Sequence, residues 1–142
     1  MENGLIITVN SDVTYGRGYV YSLQYHLVWC VKYRKQIFND ALADELKGHL
    51  QITADILKIK ILAMEVMPDH VHLLIDCTPQ TRISDAVKVF KGNGARWLFM
   101  NHPEIKKSLW GGHLWNPSYF VATVSDRSHE QIKRYIEEQK IR

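Results

Sequence analysis

The chain has 142 residues, 46% of them hydrophobic and 23% charged, with a formal net charge of +3. That is ordinary globular material, long enough for one domain, residues 1–142, with a core of its own. No run of about 18 apolar residues occurs, so no membrane span is expected. Leu5-Ile6-Ile7-Thr8-Val9 is short and follows Glu2, which is not the pattern of a secretory signal, so the cytoplasm is the expected location. Cys30 and Cys77 lie far apart, form no CxxC and are expected to be reduced and buried, which argues against a zinc ribbon or a redox dithiol.

In chain order, residues 1–17 read as loosely structured, with Asn10-Ser11-Asp12 turn-like and Gly16-Arg17-Gly18 flexible. Residues 19–32 are aromatic and β-branched and predict one strand. Asn39 is the expected N-cap of a helix over 40–57, with Leu42, Leu46, Leu50, Ile52, Ile56 and Leu57 as its apolar positions. Residues 60–67 alternate as a strand, Pro68-Asp69 is a tight turn, and 70–77 is the next strand, so the two form a hairpin. Residues 81–100 predict a second long helix, with a kink or break expected at Gly92-Asn93-Gly94. Residues 109–124 predict one or two strands around a Gly111-Gly112 turn. A link, Ser125-Asp126-Arg127-Ser128, leads into a last helix over about 128–139, with Ser128 as N-cap and Gln131 completing a capping box. The order β-α-β-β-α-β-α is that of a ferredoxin-like, RRM-like split βαβ: an α+β antiparallel sheet with helices on one face, plus a C-terminal helix.

Two segments carry chemistry. In Met67-Pro68-Asp69-His70-Val71-His72-Leu73-Leu74-Ile75, strand alternation puts His70 and His72 on one face and Val71, Leu73 and Ile75 on the other. Two imidazoles side by side make a bidentate metal site facing a cleft; the alternative is a pair of satisfied, partly buried histidines. In the last helix Ile132, Tyr135, Ile136 and Gln139 fall at i, i+3, i+4 and i+7 and share a face. A glutamine is a costly choice for an apolar stripe, because its amide needs partners. A polar tip one turn beyond Tyr135 therefore points to a site, against the alternative of a core aromatic and a frayed terminal residue. Basic residues for phosphate contact are Lys32, Arg34 and Lys35 around Tyr33, Lys88, Lys91 and Arg96 along the second helix, and His113 beside the Gly-Gly turn. Read individually, each is equally a solvated surface group.

Taken together, residues from about 16 to 139 resemble the single-tyrosine HUH transposases, the TnpA type of very small insertion sequences. The resemblance rests on Tyr25-His26-Leu27-Val28-Trp29-Cys30-Val31-Lys32-Tyr33-Arg34, Glu65-Val66-Met67-Pro68-Asp69-His70-Val71-His72-Leu73-Leu74, Leu109-Trp110-Gly111-Gly112, Leu114-Trp115-Asn116-Pro117-Ser118-Tyr119-Phe120, Tyr135-Ile136 and Gln139. It implies that His70, His72 and Gln139 hold a divalent metal, Mg²⁺ or Mn²⁺, and that Tyr135 is the nucleophile. It also implies cleavage and rejoining of single-stranded DNA carrying subterminal hairpins, through a 5′-phosphotyrosine, by a homodimer whose active sites are shared between subunits. Rival readings are a domesticated, repeat-associated nuclease of the same chemistry, a metal-dependent hydrolase that attacks with water, and a non-catalytic RRM-like module. The last of these lacks the paired-aromatic RRM signature here.

Overall fold

A computed structural model describes residues 13–16 and 18–139. A small hairpin pairs β1 (Thr14–Gly16) with β2 (Tyr19–Tyr21). The main sheet contains β3 (Gln24–Cys30), β4 (Lys60–Met67), β5 (His70–Asp76) and β6 (Phe120–Thr123). Its spatial order is β4-β5-β3-β6, with every neighbouring pair antiparallel. Helices α1 (Asp40–Leu57), α2 (Ile83–Asn101), the short α3 (Pro103–Lys107) and α4 (Ser128–Glu138) complete the chain. With β3-α1-β4 and β5-α2-β6 as the two split units, this is the α+β ferredoxin-like fold expected from the element order.

The layering follows from alternation along β3. Leu27, Trp29 and Val31 face α1 and α2, where Trp29 stacks on Phe90 of α2 at 6.2 Å and meets Trp115 edge-on at 5.9 Å. His26, Val28 and Cys30 face the other way, together with His70 and His72 of β5 and Phe120 of β6, and α4 lies over this face with Tyr135 against Phe120. Helix α1 starts as expected, with the Asn39 side chain accepting from the Leu42 amide at 2.9 Å. Its buried stripe is Ala43, Leu46, Leu50, Thr53 and Ala54, whereas Ile52 and Ile56 are exposed, because the 3.6-residue period turns them away.

Four local expectations need correction. The expected strand over 19–32 is interrupted at residues 22–23, and its first part, β2, pairs back onto β1, which lies in the stretch 1–17 read as loose; residues 1–12 and 17 lie outside the described residues. Helix α2 runs unbroken through Gly92 and Gly94, because Gly94 sits on its buried face against Leu46 and Trp115 and tertiary packing overrides propensity. Residues 109–124 hold a 3₁₀ turn at Trp110–Gly112, a lone bridge between Trp115 and Val31, and only the four-residue β6. Ser128 is the first residue of α4, and its hydroxyl donates back to the Thr123 carbonyl at 2.9 Å, so no capping box forms and the link into the helix is a hydrogen-bonded turn.

A Cβ at Gly92 would meet nothing within 4 Å. Gly92→Ala is therefore expected to stabilise the protein by about 0.5–1 kcal/mol through lost unfolded-state entropy, read as a higher urea midpoint at unchanged slope. Gly94→Ala is expected to be tolerated as well, since its new methyl would sit at ordinary contact distance, 3.7 Å, from Leu46.

Candidate active site

The two-residue hairpin turn Pro68-Asp69 delivers His70 at the start of β5, in register with Cys30 on one side and Met67 on the other. Asp69 is nearly buried and does more than shape the turn. Its Oδ1 lies 2.8 Å from His70 Nδ1, while Oδ2 accepts from Arg34 Nε and Nη2, each at 3.0 Å. The hydrogen bond with His70, reinforced by the nearby positive charge, holds the Asp69 carboxyl below its ordinary 3.8 against the opposing effect of burial. His70 is thereby oriented with its Nε2 directed away from Asp69. Arg34 reaches this carboxylate from a turn in which Tyr33 and Arg34 adopt left-handed φ values of 57° and 52°. Such backbone is costly for non-glycine residues, and the ion pair is the compensating contact.

His72 is buried, and its Nε2 lies 3.0 Å from Nδ1 of His26 on the neighbouring strand. Register explains the contact: Val28 is directly opposite His72, so His26 is its diagonal neighbour on the same face. Burial pushes the His72 imidazole down to about 3, with His26, His70 and His129 of α4 adding to the effect. Burial, then His129, lowers His26 as well. His72 is thus a neutral imidazole at physiological pH, the state a metal ligand requires. The two cysteines are buried as expected, and burial raises Cys30 to about 12 and Cys77 to about 11, so neither offers a thiolate.

Helix α4 brings the second group of residues. Tyr135 is half-buried, with its phenol oxygen 2.6 Å from Ser118 Oγ. The Ser118 hydroxyl also donates to Gln139 Oε1 at 3.3 Å, and Gln139 Nε2 donates to the Tyr135 carbonyl at 3.3 Å. An amide oxygen only accepts, so the Ser118 proton points at Gln139 and the Tyr135 phenol donates to Ser118. Gln139 is 3% exposed, so it is no frayed end. Among the described residues no three His, Cys, Asp or Glu converge as a metal cage. The candidate donors are instead the imidazoles of His70 and His72 and the amide oxygen of Gln139, a set whose chemistry fits a divalent ion.

The residues expected to touch phosphate are dispersed. Arg34 is committed to Asp69, and half-buried Lys91 donates to the carbonyls of Asn116 at 2.7 Å and Ser118 at 3.1 Å. Lys35 donates to the Ser108 carbonyl, Arg96 bonds Asn93, and Lys32 lies over the Tyr33 ring. Lys88 and His113 are exposed and line, with Lys91 and Tyr119, a cavity of about 590 Å³ between α2 and the segment leading to β6. Sequence reasoning missed the His26 contact, the orienting role of Asp69, and Ser118 altogether. The first was recoverable only from the β3–β5 register; no sequence signal marked the third.

Comparison with known proteins finds transposases. A family model described as "Transposase IS200 like" matches residues 19–139. The ISDra2 transposase TnpA of Deinococcus radiodurans is 54% identical over 124 residues, covering 87% of this chain and 89% of the relative. The transposase for insertion sequence element IS200 of Salmonella typhimurium is 26% identical over 124 residues, 85% of this chain and 82% of that one. A solved Deinococcus radiodurans structure described as a transposase superposes with a TM-score of 0.85 at 52% identity, covering 89% of this chain and 97% of that chain. A REP-associated tyrosine transposase bound to a REP hairpin shares the fold, with a TM-score of 0.54 at 12% identity over 89% of this chain and 74% of that chain.

Asp69→Ala is expected to cost about 2 kcal/mol at neutral pH, since it removes charge-assisted bonds to two partners. Because the folded-state value is depressed, that stability is present above the unfolded carboxyl's value near 3.8 and is lost as pH falls through the folded value. Urea unfolding at stepped pH should therefore show wild type losing more stability than the variant on acidification below about pH 4.

Proposed function

The chain belongs to the IS200-like transposase family, and we propose that this DNA transposase cleaves and rejoins single-stranded DNA at insertion-sequence ends through a 5′-phosphotyrosine on Tyr135. The observation that carries the reading is the pairing of Tyr135 with Gln139 on one helix, docked over the sheet face that bears His70 and His72. In the proposed step the Tyr135 phenol oxygen attacks phosphorus, the P–O3′ bond breaks, the phenol proton is lost, and the leaving oxygen becomes a 3′-hydroxyl. The ester conserves the energy of the broken bond, so rejoining needs no nucleotide cofactor.

His70, His72 and Gln139 would hold a divalent ion, Mg²⁺ or Mn²⁺. When bound, it supplies charge neutralisation at a nonbridging phosphate oxygen and in-line placement of the scissile group. Asp69 fixes the ring of His70, and burial keeps His72 neutral for its role. Lys88 and His113, at the rim of the cavity beside α2, and Lys32 are proposed to meet the DNA backbone. A hairpin-bound protein of the same fold supports a hairpin-bearing substrate. Tyr135→Phe separates this reading from a water-attacking hydrolase and from a passive binding module. We expect loss of the covalent protein–DNA adduct on denaturing gels with Mg²⁺ or Mn²⁺, and unchanged binding of a hairpin oligonucleotide; chelation of the ion should likewise abolish the adduct. A variant that still cuts would refute the nucleophile assignment.

We further propose a homodimer in which α4 serves the partner's sheet. Of the apolar residues of α4, only Ile132 is fully buried, so its docking is shallow and the same contacts can form on a second copy. Mixing Tyr135→Phe chains with His70→Ala chains is expected to restore cleavage, because exchanged helices leave one site intact. Persistent inactivity of the mixture would assign each helix to its own chain.

A further inference from the structure

The segment entering β6 contains a bulge that the sheet does not need. Val31 pairs with Trp115 and Val28 with Phe120, so three steps from Val28 to Val31 face five along the segment entering β6, two residues in excess. The excess falls at residues 116–119 and is tied down at every turn. The Asn116 amide donates to the Cys30 carbonyl at 2.9 Å, and the buried Asn116 side chain accepts from the Ser118 amide at 3.0 Å. Lys91 reaches across from α2 and donates to the carbonyls of both Asn116 and Ser118, while its own carbonyl accepts from Trp115 Nε1 at 2.9 Å. Neighbouring Phe90 is locked against Trp29, so the origin of this reach is rigid core.

The product of the bulge is one hydroxyl held between two side chains of α4. Ser118 Oγ is the point where the Tyr135 phenol and the Gln139 amide oxygen meet. We propose that Ser118 is a positioning residue that holds Tyr135 and Gln139 as a unit against the sheet, and that Lys91 fixes Ser118 there from the core. This rests on the reading of Tyr135 as nucleophile and Gln139 as metal ligand. Lys91 thereby has a role in placing the reacting helix, in place of the phosphate contact its position on α2 suggested. In an exchanged dimer the same contacts would join Ser118 of one subunit to the α4 of its partner.

The test uses the full chain as wild type, Ser118→Ala, Ser118→Thr and Lys91→Met. In the metal-free, DNA-free protein, amide exchange over the last turn of α4 is followed by mass spectrometry. With a hairpin-bearing single strand at saturation and Mn²⁺, adduct formation is timed in a single turnover and hairpin affinity is measured separately. Ser118→Ala is expected to speed exchange of that turn by about tenfold, the loss of one hydrogen-bonding group. It should slow adduct formation roughly 10- to 100-fold through misplacement, with affinity unchanged. Ser118→Thr should restore both, and Lys91→Met should reproduce the Ala phenotype although the hydroxyl is present. If Lys91→Met unfolds, Lys91→Gln, which keeps one donor group, takes its place. Unchanged exchange in Ser118→Ala, or slowed chemistry that Thr does not rescue, overturns the proposal. Absence of adduct in wild type with unaltered exchange differences would instead strike at the nucleophile reading alone.

Discussion

Strand β3 is buried on both faces, and the rest of the molecule is arranged around that constraint. Leu27, Val28, Trp29, Cys30 and Val31 are all fully buried. One face is covered by α1 and α2, as in any split βαβ unit. The other bears Val28, Cys30 and Leu74, and α4 lies over part of it, with Tyr135 against Phe120. The helix that carries Tyr135 and Gln139 is therefore also part of the cover of the second face.

Covering that face with a helix takes its polar groups out of water, and the structure satisfies them in pairs. His26 meets His72, Asp69 meets His70 and Arg34, and Ser118 meets Tyr135 and Gln139. Apart from Asp69, whose carboxylate is shared between His70 and Arg34, these groups are held by contacts between side chains other than carboxylates, because isolated charge is what burial penalises most. The proposed metal ligands, two imidazoles and an amide, bring no carboxylate of their own to the ion, which suits the proposed phosphodiester substrate. The same desolvation keeps His72 deprotonated without any dedicated partner carboxylate.

Much of this was legible in the sequence, for identifiable reasons. The element order, α1 with its Asn39 cap, the β4–β5 hairpin and the shared face of Tyr135 and Gln139 were read from short-range signals: periods of 2.0 and 3.6 residues, a capping residue and a tight turn. What stayed hidden depends on register and long-range contact. Gly92 and Gly94 read as a break because propensity is local, while the packing of Gly94 on Leu46 and Trp115 is not. The contact of His26 stayed hidden because its diagonal to His72 exists only once β3 and β5 are paired. Asp69 read as a turn residue, which it is, but its carboxylate spans two strands' worth of function. Ser118 carried no signal, since a serine in an irregular segment next to Pro117 is the commonest of loop residues.

The two demands on α4 pull in different directions. As cover, it should be bound firmly; as the carrier of the proposed nucleophile and the proposed ligand, which would turn to new partners, it should not. The contacts in the structure resolve this by distributing the hold. Its start is fixed by Ser128, whose hydroxyl is tied to Thr123 and Ser125. Its middle contributes one fully buried apolar side chain, Ile132. Its reacting end is held through hydroxyl and amide hydrogen bonds, which exchange partners at far lower cost than an apolar core repacks, because each bond lost to Ser118 can be replaced by one to substrate or ion. Firm attachment at the N-terminal end and exchangeable attachment at the C-terminal end are what the proposed role of the helix requires: a fixed point in the fold and a reacting end that can change partners.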